Sequence, residues 1–136
     1  MKKILLIGDS IREGYDKYVK MAFDGVADVI YPGENCRDSG YIIRQIVFWR
    51  QRMPLGEDID LVHFNAGLWD TAILYHEDGC FVQVQEYVKN MKIILRELKK
   101  TGAQIIFATT TPVCDQKADW PGPMPPAHKN RDIINY

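Results

Sequence analysis

The sequence predicts a three-layer α/β/α fold, with a flavodoxin-like, doubly wound parallel sheet covered by helices on both faces. Short, continuous apolar runs are typical of parallel strands that are buried on both sides. Stretches with helical spacing of apolar residues separate these runs, and such alternation predicts a parallel sheet. A chain of 136 residues fits one domain, predicted over residues 1–136.

The first half of the chain predicts two strands and two helices. An aliphatic run over residues 3–8 predicts the first strand. Apolar residues at helical spacing, among them Tyr15 and Tyr18, then predict a helix that stops near Gly25 and packs both tyrosines into the core. Residues 26–31 predict the second strand. After a polar loop, the second helix is predicted from the apolar positions Ile42, Ile46, Trp49 and Met53.

The second half continues the alternation. Residues 60–66 predict the third strand, and the longest helix follows before Gly102, with basic residues in its last turn. Residues 104–110 predict the fourth strand. A Pro-rich loop over 112–126 and a short stretch with helical character complete the sequence.

The fourth predicted strand is apolar and uncharged, which is unfavourable at the edge of a sheet. We therefore expect a fifth strand that the sequence does not contain. Either the chain is truncated, or a partner chain covers the strand, as in a homodimer formed through it.

Composition excludes several classes of function. A net charge of −1 gives no electrostatic basis for binding nucleic acid or an anionic membrane surface. The apolar run at the N-terminus meets Asp9 too early for a signal peptide. Three widely spaced cysteines predict a reducing, cytoplasmic setting. No pattern predicts a metal site or a phosphate-binding loop, so we expect neither metal nor cofactor.

Polar residues follow each of the first three predicted strands, in the segments 9–10, 35–40 and 65–70. Carboxyl ends of parallel strands meet at one edge of the sheet, where ligands bind. Ser10 has two interpretations. Serine is a favoured helix N-cap, but at a strand-to-helix turn its hydroxyl group can also be a nucleophile, with helix amides stabilising an oxyanion.

Three segments carry a resemblance to a known family. Residues 8–11 (GDSI) resemble the first block of the SGNH (GDSL) hydrolase superfamily, and residues 35–40 (NCRDSG) resemble its second. Residues 67–70 (GLWD) resemble the third block, G-x-N-D, and the TTTP run at 109–112 is also similar to these enzymes. The blocks occur in the family's order over essentially the whole chain.

The resemblance implies a serine-dependent ester hydrolase of the lipase, acylhydrolase or acetylesterase type, acting on a small-molecule ester. Ser10 would form the acyl-enzyme, and the backbone N–H groups of Ser10 and Gly40 would hold the oxyanion. The family's third donor is an asparagine, which is Trp69 here. Asn65 is the other candidate, although a buried asparagine that satisfies backbone groups explains it equally well.

Four residues are expected to contact the substrate: Asp9, Arg37, Trp69 and Asp70. For two of them another interpretation remains open. Asp9 can hold its turn by hydrogen bonding, and Arg37 can belong to a solvated loop.

The sequence departs from the family at the general base, because no D-x-x-H block occurs at a suitable place. We expect His63 to be a core histidine, and His76 and His128 to be at the surface. The base would then come from beyond Tyr136 or from another subunit, and residues 1–136 would show weak or no turnover. A flavodoxin-like, non-catalytic binding domain and an inactive, truncated remnant of such a hydrolase are the alternatives.

Overall fold

The structure, a computed structural model, describes residues 1–52, 58–73, 79–113, 133–134 and 136. The described elements alternate as predicted, and each strand ends up to three residues earlier than its apolar run. The seven elements are β1 (Lys2–Ile7), α1 (Ser10–Ala22), β2 (Ala27–Ile30), α2 (Ser39–Arg52), β3 (Leu61–Phe64), α3 (Val84–Lys99) and β4 (Gln104–Phe107).

The four strands form one parallel sheet in the order β2-β1-β3-β4. In the register, Ile4 of β1 lies opposite Val29 on one side and Leu61 on the other. The chain therefore leaves β1 in one direction and returns past it to β3. This order is the doubly wound, flavodoxin-like arrangement, and the predicted fold class is confirmed. In sheets of this kind, ligands bind at the point of reversal, which here is at the carboxyl ends of β1 and β3.

The two faces of the sheet pack against different helices, because successive side chains of a strand point to opposite faces. Leu5 and Val62 lie on the face covered by α2 and α3, whose buried residues include Trp49 and Ile94. On the opposite face, Ile4 packs with residues of α1. The result is the three-layer arrangement that the sequence predicts.

The structure corrects one part of the prediction for α1. Tyr18, which the periodicity places in the core, is 60% exposed, whereas Arg12 and Asp16 of the same helix are buried. The face of α1 that packs on the sheet therefore combines Tyr15 and Val19, which the apolar pattern predicts, with a buried ion pair that it does not.

Several predictions fall on parts of the chain that the structure does not describe, among them Met53, Cys114, most of the Pro-rich loop and most of the short terminal helix. Within the described residues, β4 is the edge of the sheet, with Ile106 41% and Phe107 37% exposed. Among these same residues, no helix has both the length and the apolar composition needed to cross a membrane.

Candidate active site

Ser10 lies at the turn between β1 and α1, where it is the first residue of the helix and is exposed. Its hydroxyl group has no hydrogen-bond partner in the part of the chain that the structure describes. The helix is capped instead by Asp9, whose Oδ1 accepts the Ile11 N–H at 3.0 Å. The interpretation of Ser10 as the N-cap is therefore wrong, and its hydroxyl group is left available.

Gly8 is where three loops meet: the β1 loop (residues 8–9), the β2 loop (residues 31–38) and the β3 loop (residues 65–72). Its carbonyl oxygen accepts the Cys36 N–H at 3.1 Å. A Cβ atom at position 8 would lie 2.0 Å from Oδ1 of Asn65 and 2.7 Å from Cβ of Arg12, so a larger residue would have to displace these side chains. Asn65 is fixed further by its N–H, which donates to the Ile7 carbonyl at 3.1 Å. Asn65 therefore lies beside the turn that carries Ser10.

Arg12 links the β1 and β2 loops. Its buried guanidinium group donates to the carboxylate of Asp16 at 2.7 Å, to the carbonyl of Gly8 at 3.4 Å and to the carbonyl of Glu34. Sequence reasoning missed this residue. The available signal was its i,i+4 spacing to Asp16, because such a pair forms one ion pair on one helix face.

Asp70 links the β3 loop to the start of α2. Its carboxylate accepts the Ser39 N–H at 3.1 Å and the Ser39 hydroxyl, and Nδ2 of Asn90 donates to that hydroxyl oxygen at 2.9 Å. Burial raises the pKa of the Asp70 carboxyl group to about 6, although the hydrogen bonds from Ser39 oppose the shift. Asn90 was also missed by sequence reasoning; it follows Tyr87 at helical spacing on the buried face of α3.

Gly40 is the second residue of α2, and its backbone N–H differs from those of the neighbouring residues in its lack of a hydrogen-bond acceptor within the described chain. The Tyr41 N–H donates to Oδ1 of Asp38 at 2.9 Å, and the Ile42 N–H donates to the Asp38 carbonyl at 3.1 Å. The N–H of Ser39 is held by a carboxylate, as described above. Within the described chain, Gly40 alone in this first turn has an N–H without an acceptor.

The other residues expected to bind substrate have different environments. Asp9 and Asp70 are buried, with 1% and 0% exposure; the first caps α1 and the second holds the start of α2, and their expected contact with substrate stays a prediction. Trp69 is 38% exposed in the β3 loop. Arg37 is exposed, and its guanidinium group lies 4.7 Å from the centre of the Tyr41 ring. Trp69 and Arg37 are thus the two that a ligand can reach.

His63 lies in β3 on the face of α1, away from the loops. Its Nδ1 is 3.5 Å from the hydroxyl oxygen of Tyr15, and burial lowers its pKa. The expectation of a core position fits this half-buried environment. His76 and His128 lie outside the described residues. Among the residues that are described, no three potential ligands cluster as a metal site would require.

One solved structure with the same fold comes from Bacteroides fragilis and is described as a "putative acylhydrolase". The two structures superpose with a TM-score of 0.58 at 20% sequence identity, over 80% of this chain and 48% of that one. The chain thus spans about half the length of the Bacteroides protein. No protein-family model and no curated protein matches the sequence. The comparison shows that this chain shares the α/β fold of the Bacteroides protein over the part that the two have in common.

Proposed function

We propose that the protein is a serine-dependent ester hydrolase of the SGNH type, with Ser10 as the nucleophile. One observation carries the proposal. Ser10 and Gly40 stand in the first turns of two helices that both begin at the carboxyl edge of the sheet, one on each face, and in the described chain neither N–H has an acceptor. Helix N-termini carry partial positive charge, so two free N–H groups there suit a developing oxyanion.

In this proposal the Ser10 hydroxyl oxygen attacks the ester carbonyl carbon while a general base takes its proton. The carbonyl oxygen becomes the oxyanion and accepts the N–H groups of Ser10 and Gly40. The tetrahedral intermediate expels the alcohol, which receives the proton, and water then hydrolyses the acyl-enzyme. The base belongs to a part of the protein outside the described residues.

The third oxyanion donor is Asn65 rather than Trp69 in this proposal. Because Oδ1 of Asn65 is buried against Gly8, its other amide end, the Nδ2 donor, is the one left for a ligand. Nothing on the described residues favours the alternative of a non-catalytic binding domain.

Hydrolysis of p-nitrophenyl acetate tests the proposal. We expect slow hydrolysis that Ser10→Ala abolishes, because the hydroxyl group is lost while the loops keep their contacts. Asn65→Ala should lower the Ser10-dependent rate by about 10²-fold, the scale for one oxyanion donor. Trp69→Phe, which removes only the indole N–H, is the matched control and should leave the rate unchanged. Equal rates for wild type and Ser10→Ala would exclude Ser10 as the nucleophile.

Two further properties belong to the proposal. A homodimer through β4 would cover the exposed side chains of Ile106 and Phe107. Sedimentation should then show a dimer, and a monomer at high concentration would exclude this interface. Cys36 is a free thiol, which is compatible with the cytoplasmic location that we propose.

A further inference from the structure

Two arginines flank one aromatic ring at the start of α2. The guanidinium carbon of Arg37 lies 4.7 Å from the centre of the Tyr41 ring, and that of Arg44 lies 5.8 Å from it. Both arginines are exposed. A Cβ atom placed on Gly40 would lie 3.9 Å from Nη1 of Arg44. The positive charge of Arg44 therefore stands near the glycine whose N–H has no acceptor, and that of Arg37 stands over the ring of the next residue, Tyr41.

Neither guanidinium group is paired with a carboxylate in the described part of the chain. Two acidic side chains lie nearby and have other partners. Oδ1 of Asp38, which would lie 3.0 Å from a Cβ atom placed on Gly40, accepts the Tyr41 N–H at 2.9 Å. Glu34 accepts the Tyr41 hydroxyl at 2.6 Å and the Trp49 indole N–H at 3.4 Å. Both arginines thus keep their donors available, and guanidinium donors match the planar geometry of a carboxylate.

The backbone fixes Arg37 close to the start of α1. Its φ of 51° is uncommon for a residue other than glycine, and such conformations are enriched at functional sites. Oδ1 of Asn35 accepts the Arg37 N–H at 2.9 Å, and Nδ2 of Asn35 donates to Glu13 of α1 at 3.0 Å. These bonds tie the arginine to the helix that begins at Ser10.

We propose that Arg37 and Arg44 form an anion-binding subsite beside Gly40, and that the ester substrate carries a carboxylate which binds there. The identification of the ligand as a substrate rests on the proposed function, whereas binding of the anion does not. The subsite selects an acidic ester over a neutral one, because only the acidic ester forms charge-assisted hydrogen bonds with both arginines. Sequence reasoning named Arg37 but not Arg44.

A matched pair of ligands tests the subsite: methyl hydrogen succinate, which carries one carboxylate, and dimethyl succinate, which carries none. Titrations followed by ¹H–¹⁵N NMR at low salt report the Gly40 amide and the arginine Nε–H signals. We expect the acidic ester to bind at least about fivefold more tightly, and Arg37→Gln or Arg44→Gln each to weaken it about threefold to fivefold. About 0.5 M salt should remove most of the preference.

Lys17→Gln is the matched control, because Lys17 is also an exposed cation over a tyrosine ring, 5.0 Å from the centre of Tyr18. It should bind both esters as wild type does. Equal affinity for the two esters, or wild-type affinity in Arg44→Gln, would overturn the subsite. Ser10→Ala should bind the acidic ester normally, so loss of Ser10-dependent hydrolysis and loss of anion binding are separate outcomes.

Discussion

Two helices of this protein begin with the same Asp-Ser pair, and the two serines have opposite environments. Asp9 and Ser10 start α1, and Asp38 and Ser39 start α2. In both cases the aspartate side chain accepts an N–H of the first turn. The Ser39 hydroxyl is buried between two side chains from other elements, whereas the Ser10 hydroxyl is exposed and has no partner in the described chain. Local sequence therefore makes the helix start, and tertiary contacts decide which serine is available for chemistry.

The first turns of α1 and α2 also differ in the side chains that accept their backbone N–H groups. α1 has only the local cap from Asp9, two residues from its partner Ile11, among the described side chains. The start of α2 has the local cap from Asp38 and, in addition, a carboxylate 31 residues further along the chain that holds its first N–H. We therefore expect substitutions that remove contacts at the start of α2 to cost more stability than those at the start of α1, and substitutions at the start of α1 to affect reactivity.

The largest effect on stability is expected for Asp70→Ala. The N–H and the hydroxyl group of Ser39 both lose their buried acceptor, so we expect a loss of about 3 kcal/mol in the free energy of unfolding. Urea unfolding measures it. If Asp70→Ala lowered the free energy of unfolding by less than Asp9→Ala does, the expected order of the two helix N-termini would be reversed.

The titration of Asp70 should also make the free energy of unfolding depend on pH, by less than the loss expected for Asp70→Ala. Its pKa is about 6 in the folded protein and ordinarily 3.8, so between these values the folded state retains a proton that the unfolded chain releases. The contribution of Asp70 to the free energy of unfolding is therefore largest below pH 3.8. It falls as the pH rises from 3.8 to about 6 and is constant above that range. Relative to Asp70→Asn, wild type should gain up to about 1.4 kcal/mol per pH unit on acidification from about pH 6 to 4. A difference in the free energy of unfolding between wild type and Asp70→Asn that does not vary with pH would contradict the burial of this carboxyl group.

Ser39→Ala and Ser10→Ala compare the two serines directly. Removal of the Ser39 hydroxyl leaves Asn90 without its acceptor, and we expect a cost of about 1 to 2 kcal/mol. Ser10→Ala should leave the free energy of unfolding within about 0.5 kcal/mol, because the side chain is exposed. Similar costs for the two variants would show that both hydroxyl groups are equally engaged.

Asp9→Ala tests the local cap. Loss of its bond to the Ile11 N–H should cost about 1 kcal/mol in urea unfolding, as is usual for an N-cap. Asp24→Ala, in the turn that follows α1, is the control and should have little effect. A change of comparable size in the control would mean that the cap contributes nothing specific.

Much of the fold was predictable because it depends on local patterns. The apolar runs of the four strands and the apolar stripe of α3 predict their elements and the parallel sheet. Tyr18 was placed wrongly, since periodicity alone cannot show that α1 buries an arginine paired with Asp16.

The candidate site was predictable in its position but not in its contacts. Strand ends locate Ser10, Gly40 and Asn65 at one edge of the sheet. The bonds that hold them, such as that from Arg12 to the Glu34 carbonyl, join residues far apart in sequence. No spacing rule in a single sequence specifies such pairs.

Reaction with a fluorophosphonate probe tests the central claim most directly, because the chain has only two serines. After prolonged incubation of the folded protein, intact mass and peptide mapping should show one adduct, on the peptide that contains Ser10, and Ser10→Ala should show none. An unmodified protein, or an adduct on the peptide that contains Ser39, would contradict the assignment of Ser10 as the nucleophile.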